Sequence, residues 1–137
     1  MATSGHELGH LGIDSFIERR PGLVSAAKAW IHLGANIGAA QGPGNNLQAS
    51  DDEMESMLIA EVATKAGLTI DRRLPRGVVP RGEAENVHRG GGRYISIIGN
   101  NDLFHNMSDR GADAVDLAVI ELFASAFAKV TTSLASA

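Results

Sequence analysis

The sequence predicts an α/β domain: a small, mostly parallel or mixed sheet of three to four strands flanked by helices, with a long helix at the C-terminus. Three observations carry that expectation. Short apolar, β-branched runs alternate with segments of helical spacing; clusters of glycine, proline and asparagine separate them; and the last stretch keeps its apolar residues on one helical face.

In order along the chain, Leu8, Leu11, Ser15 and Phe16 have the spacing of a first helix that stops at Pro21, with Gly9 and Gly12 weakening it. A short helix over Leu23 to Lys28 then leads into the apolar strand Trp30-Ile31-His32-Leu33. Gly38 to Asn46 reads as a loop because of the breaker run Gln41-Gly42-Pro43-Gly44-Asn45-Asn46. Ser50-Asp51-Asp52-Glu53 has the form of a capping box, with Met54, Leu58 and Val62 as the buried stripe and Gly67 as the stop. Leu68-Thr69-Ile70 is a short strand candidate. Tyr94-Ile95-Ser96-Ile97-Ile98 is the best strand in the chain, apolar enough to be central and covered on both faces. From Asp113 on, Val115, Val119, Leu122, Phe123, Ala126, Phe127, Val130 and Leu134 define the terminal helix.

With 137 residues the chain has the length of a single domain. No apolar run approaches the eighteen or so residues of a membrane span, and the N-terminus lacks the basic start and apolar stretch of a secretory leader. The expected location is therefore cytoplasmic, with no membrane partner. Without cysteine there is no disulfide, iron–sulfur cluster or thiolate zinc site, so a metal would have to sit on His, Asp and Glu. A balance of 12 basic against 16 acidic residues argues against a nucleic-acid partner. Arg72, Arg73, Arg76, Arg81, Arg89 and Arg93 nevertheless crowd one region, read as a solvated loop or else as a site for a substrate carboxylate or subunit contact. Asp51, Asp52, Glu53 and Glu55 resemble a metal cluster, but acids at a helix start complement the helix dipole.

The sharpest chemical signal is Gly5-His6-Glu7-Leu8-Gly9-His10, an HExxH pattern. On a helix, His6 and His10 lie one turn apart on one face and reach a single zinc, while Glu7 serves as base toward its water. The histidine and glycine of the longer HExxHxxGxxH arrangement are out of register downstream. His32 reads as a hydrogen-bonded core residue and His88 as solvent-exposed.

The same stretch, Ala2 to Gly12, resembles the strand end and helix start of the di-zinc exopeptidases, which include bacterial aminopeptidases, glutamate carboxypeptidase and the transferrin receptor ectodomain. That family has two adjacent glutamates before Leu-Gly-x-x-Gly. Gly92 to Gly99 is placed like its late core strand, Phe104-His105-Asn106-Met107-Ser108-Asp109 matches its Tyr-His-Thr-x-x-Asp, and a long terminal helix follows. The likeness spans nearly the whole chain and the C-terminal half of the family's domain, so it implies a truncated exopeptidase-like domain over residues 1–137.

Carried over residue by residue, the resemblance puts Glu7 on a zinc-ligand glutamate, His105 on the histidine of the same metal, and His6 on the general-base glutamate. Gly34 falls where the family has an aspartate ligand, and the family's first His-x-Asp and bridging aspartate precede the matched region. A pair of zincs is thereby excluded; one zinc is chemically sufficient, since a catalytic site needs three ligands and an open position.

The function expected from these readings is a zinc-dependent hydrolase of peptide or amide bonds, with His6, His10 and His105 as metal ligands, Glu7 as the catalytic residue, and a peptide or small amide as substrate. The alternative is an inactive exopeptidase-like module for binding or assembly, completed by oligomerisation. A homo-oligomer is expected either way, because a partial sheet leaves an edge and a helix face to cover.

Overall fold

The computed structural model describes residues 1–42, 44–65, 67 and 69–136. A single 3₁₀ turn, His6–Leu8, opens the chain and leads into α1 (Leu11–Glu18) and α2 (Leu23–Ala26). The strands are β1 (Trp30–Leu33), β2 (Gly44–Ala49), β3 (Arg72–Arg73) and β4 (Tyr94–Asn100). Between them lie α3 (Asp52–Leu58), which continues as a π-helical stretch over Ile59–Lys65, and α4 (Ala84–Arg89). After β4 come α5 (Gly111–Ala114) and α6 (Leu117–Ser136).

The fold is α/β, as expected, with a four-stranded mixed sheet in the order β1-β4-β2-β3. β1 runs parallel to β4 (Ile31 beside Ile95, His32 beside Ser96), β2 antiparallel to β4 (Leu47 beside Ile97, Gln48 beside Ser96), and β3 parallel to β2. Side chains alternate across a pleated sheet, so this register gives its two faces different compositions. One face carries Leu47, Ala49, Ile95 and Ile97, which pack with Met54, Leu58 and Val62 and with Phe123, Ala126, Phe127, Val130 and Leu134 of α6. The fully buried Met54, Leu58 and Val62 each stabilise by about 1.5–3 kcal/mol relative to exposure. The opposite face presents His32, Ser96 and Gln48 side by side, beneath a second, smaller core of Ile13, Val24, Val87 and Tyr94.

Several expectations are corrected. The breaker loop ends at Gly44, and Gly44–Ala49 is the strand β2: six residues pair with β4, and that pairing overrides the poor strand propensity of Gly44-Asn45-Asn46. Of the strand candidate at 68–70, Leu68 lies outside the described residues and Thr69 and Ile70 are not in a strand; Arg72–Arg73 pairs with β2 instead. The capping box takes a different form. Asp51, not Ser50, caps α3 by accepting from the Met54 amide at 3.1 Å, and Glu53 reaches the Arg93 side chain instead of turning back.

The terminal helix starts at Leu117 rather than Asp113, because Val115 is extended and bridges Ala39, while Asp116 accepts from the Val119 amide at 3.1 Å. Leu122, expected in its buried stripe, is 46% exposed. α6 is also long and apolar enough to cross a membrane by length and composition, which the sequence reading did not anticipate; its buried residues face the sheet.

The arginines and the acids explain each other. Arg93 binds Asp51 (Nε–Oδ2 3.0 Å) and Glu53 (Nη2–Oε2 2.7 Å), Arg76 pairs with Asp52 and Glu55, Arg73 approaches Glu55, and Arg89 pairs with Glu85. The four acids at the start of α3 are therefore dipole-complementing partners of arginines, not a metal cluster.

Candidate metal centre

The expected helix through HExxH does not form. Gly5 and Gly9 take the left-handed φ values of 71° and 83° on either side of the His6–Leu8 turn, and His10 itself has φ 64° before α1 begins. Glycine adopts such angles without steric cost, and two of them around one turn interrupt the i, i+4 ladder. His6 and His10 still meet, with ring centroids 4.9 Å apart, because the turn folds back over the start of α1.

Their third companion is Glu83, immediately before α4. One ligand atom each from His6, His10 and Glu83 all lie within 4.8 Å of one another, and among the described residues these three form the sole group of His, Asp or Glu so placed. His6 Nδ1 lies 3.1 Å from Glu83 Oε1, which also accepts from Thr3 Oγ1 at 3.2 Å. Glu83 Oε2 faces His32 Nε2 at 3.6 Å, and His32 Nδ1 is 2.8 Å from Ser96 Oγ. Burial pushes the Glu83 carboxyl up, yet the hydrogen bond from His6, its backbone amide bond, the nearby charge of His6 and the Thr3 hydroxyl together hold it below its ordinary value. Burial pushes His32 down, and the attraction of Glu83 does not restore it. His32 is thus a half-buried imidazole whose charging is disfavoured; it is hydrogen-bonded to Ser96 as expected, but it lines the cavity wall and is not in the core.

His10 is oriented from behind. Its Nδ1 is 3.0 Å from Asn86 Oδ1, and Asn86 Nδ2 donates to Asp14 Oδ1. That second bond fixes which end of the Asn86 amide faces His10, so Nδ1–H is the donor and Nε2 keeps its lone pair. Metal-binding histidines are held in this way, with the far ring nitrogen donating to a carbonyl or carboxylate.

Glu7 and His105 lie apart from this group. Both are exposed, at 74% and 66%, and Glu7 Oε1 is 3.8 Å from His105 Nε2. The structure therefore brings two of the expected ligands, His6 and His10, together and pairs the third, His105, with Glu7. Asp109, four residues after His105, accepts from Asn101 Nδ2 at 3.0 Å. A cavity of about 530 Å³ beside the cluster is walled by His6, His32, Gly34, Arg81, Glu83 and Phe104, among others.

Backbone strain gathers in the same region. The three non-glycine residues with positive φ among the described residues are His10 in the cluster, Asn36 in the cavity wall, and His105, which follows the wall residue Phe104. Such conformations cost on the order of 1 kcal/mol or more and persist where the surroundings impose them, commonly at functional sites.

Sequence reasoning missed Glu83, Asn86 and Asp14. Glu83 stands two residues after Arg81 in an arginine-rich stretch, where an acid reads as a salt-bridge partner. The available signal was the apolar pair Ala84 and Val87 at helical spacing directly after it, both buried, which marks a helix start rather than a loop.

No protein-family model, curated protein or solved structure matches the chain.

The donor set suits zinc. Two imidazoles and one carboxylate are a common catalytic combination, and ligand atoms in a tetrahedral site lie about 3.3 Å apart, within reach of a 4.8 Å group by small side-chain rotations. His6 Nδ1 and Glu83 Oε1 share a hydrogen bond, so a cation held by both would have to take the place of that proton.

Proposed function

We propose that the protein is a zinc-dependent hydrolase of peptide or amide bonds with a single metal held by His6, His10 and Glu83. The observation that carries this reading is the His10–Asn86–Asp14 relay behind a three-ligand group, since metal-binding imidazoles are oriented by such a hydrogen bond on the far ring nitrogen. His6, His10 and Glu83 would hold the zinc, which when bound would supply Lewis-acid polarisation of an amide carbonyl and a water of lowered pKa. Glu7, in the same turn as His6 but outside the three-ligand group, is the proposed base: once that turn swings its carboxylate over the site, an oxygen takes a proton from the attacking water and returns it to the leaving amide nitrogen. His105 faces that carboxylate, with its Nε2 3.8 Å from Glu7 Oε1. Glu83 holds its charge because His6 and Thr3 donate to it, and His32 closes the site from the sheet side.

One observation favours a second reading. The Glu7–His105 approach of 3.8 Å places side by side the two residues that resemble ligands of a single zinc in the di-zinc exopeptidases. There Glu7 would be a ligand, and His6 would occupy the position of the base.

Substitution of Glu7 separates the two. In the first, Glu7→Gln keeps zinc and loses roughly 10²–10⁴-fold in amide hydrolysis; in the second it loses the zinc. A Glu7→Gln protein that retains both zinc and full activity contradicts both.

A further inference from the structure

We propose that the cavity on the β2 side of the site binds the carboxylate end of a secondary amide, the unit shared by a peptide C-terminus and an N-acyl amino acid, through Arg72, Arg81 and Gln48. This deepens the hydrolase reading and rests on it for the reaction, but not for the binding.

The cavity has a volume of about 580 Å³, and its wall includes Gln48, Arg72, Arg81, Ser96 and Asp71. Neither Arg72 nor Arg81 is among the arginines that pair with the acids of α3. The Asp71 carboxylate is already engaged, accepting from the Asn45 amide at 2.6 Å. Two guanidinium groups against one occupied carboxylate leave an excess of positive charge, and guanidinium matches a carboxylate in shape as well as sign.

Gln48 adds an independent requirement. It is only 3% exposed, and its Nε2 donates to the Val78 carbonyl, which fixes Oε1 as the other end of the amide. That Oε1 is buried without a hydrogen-bond partner among the described residues. An orphaned buried acceptor costs about 1–3 kcal/mol, so a ligand that brings an N–H donor to it is favoured. The ligand must therefore carry a carboxylate and, beside it, an N–H.

The sheet puts these groups in sequence. Across the strands, β3 contributes Arg72, β2 Gln48, β4 Ser96 and β1 His32, with Gln48 and His32 each beside Ser96. At a strand spacing of 4.8 Å the row from Gln48 to His32 spans about 10 Å, and His32 ends on Glu83. A carboxylate at Arg72 and an N–H at Gln48 turn the acyl side of the amide toward Glu83, while Arg81, which borders both cavities, stands between.

The test is binding to the metal-free protein by titration calorimetry, with N-acetylalanine, N-acetyl-dialanine, their C-terminal carboxamides, and acetate. The acids should bind at least roughly tenfold more tightly than their carboxamides, and the Arg72→Met/Arg81→Met double variant, altered only at exposed positions, should erase the difference. The tighter of the two acids identifies the source of the unit. Absence of acid binding at about 10 mM, equal binding of acid and carboxamide, acetate binding as tight as the acids, or selectivity intact in the double variant each overturns the proposal. Zinc binding is measured separately: if selectivity persists without zinc uptake, the hydrolase reading fails alone, and zinc uptake without selectivity removes only the carboxylate subsite.

Discussion

The Nδ1 of His10 lies 3.0 Å from the side-chain oxygen of Asn86, and this contact decides what His10 can do. Because Asn86 donates its own amide to Asp14, its oxygen must face the imidazole, and the imidazole must donate. Of the two neutral tautomers, this contact selects the one whose Nε2 can bind a metal. Asn86→Ala should leave the fold intact and weaken zinc binding by about 10–100-fold, measured by competition with a chromophoric chelator. An unchanged affinity would mean that His10 is not a ligand.

Gly34 stands where the resemblance to the di-zinc exopeptidases expects an aspartate, and packing explains the difference. A Cβ at this position would lie 2.4 Å from Ile98 Cγ1 and 3.2 Å from the Ile97 carbonyl oxygen. Gly34→Asp should therefore lower stability by about 1–3 kcal/mol through overpacking without raising zinc stoichiometry, as thermal denaturation and metal analysis would report. A stable Gly34→Asp protein that binds a second zinc would contradict this.

At the other end of the sheet, Asp51 caps α3 and receives Arg93 through two hydrogen bonds at 3.0 and 3.1 Å. The Arg93 guanidinium holds the Asp51 carboxyl well below the usual carboxylate range, against the upward push of partial burial and with help from the Met54 amide and Ser50. Since the folded value is depressed, the stabilisation is present above the unfolded carboxyl value of about 3.9 and is lost as pH falls below it. Asn is an equivalent cap that does not titrate. The wild-type protein should thus exceed Asp51→Asn in stability at neutral pH, and the gap should close below about pH 4; a gap constant with pH would remove the ion pair's role. Asp51→Ala, which also loses the cap, should cost a further 0.5–2 kcal/mol or so.

Local signals were enough for the elements whose physics is local. Trp30–Leu33 shows its strand by a short apolar run and Tyr94–Ile98 by a β-branched one, and Met54, Leu58 and Val62 mark their buried stripe by spacing. The strand at Gly44–Ala49 was hidden because its pairing with β4, fifty residues away, outweighs its breaker composition. The site was legible by halves. His6 and His10 announced themselves as HExxH, although two left-handed glycines make them meet through a turn and not along a helix. Glu83 was invisible, since its approach to His6 depends on where α4 docks, 77 residues further along the chain.

The central claim is that Glu83, and not His105, completes the metal site. The most direct test is the zinc content of untagged protein after dialysis, compared among wild type, Glu83→Gln, His10→Ala and His105→Ala. With Glu83 as the third ligand, about one zinc per chain is expected in the wild type and in His105→Ala, and loss of zinc in Glu83→Gln and His10→Ala. Full zinc content in Glu83→Gln together with its loss in His105→Ala would contradict it, as would wild-type protein that takes up no zinc.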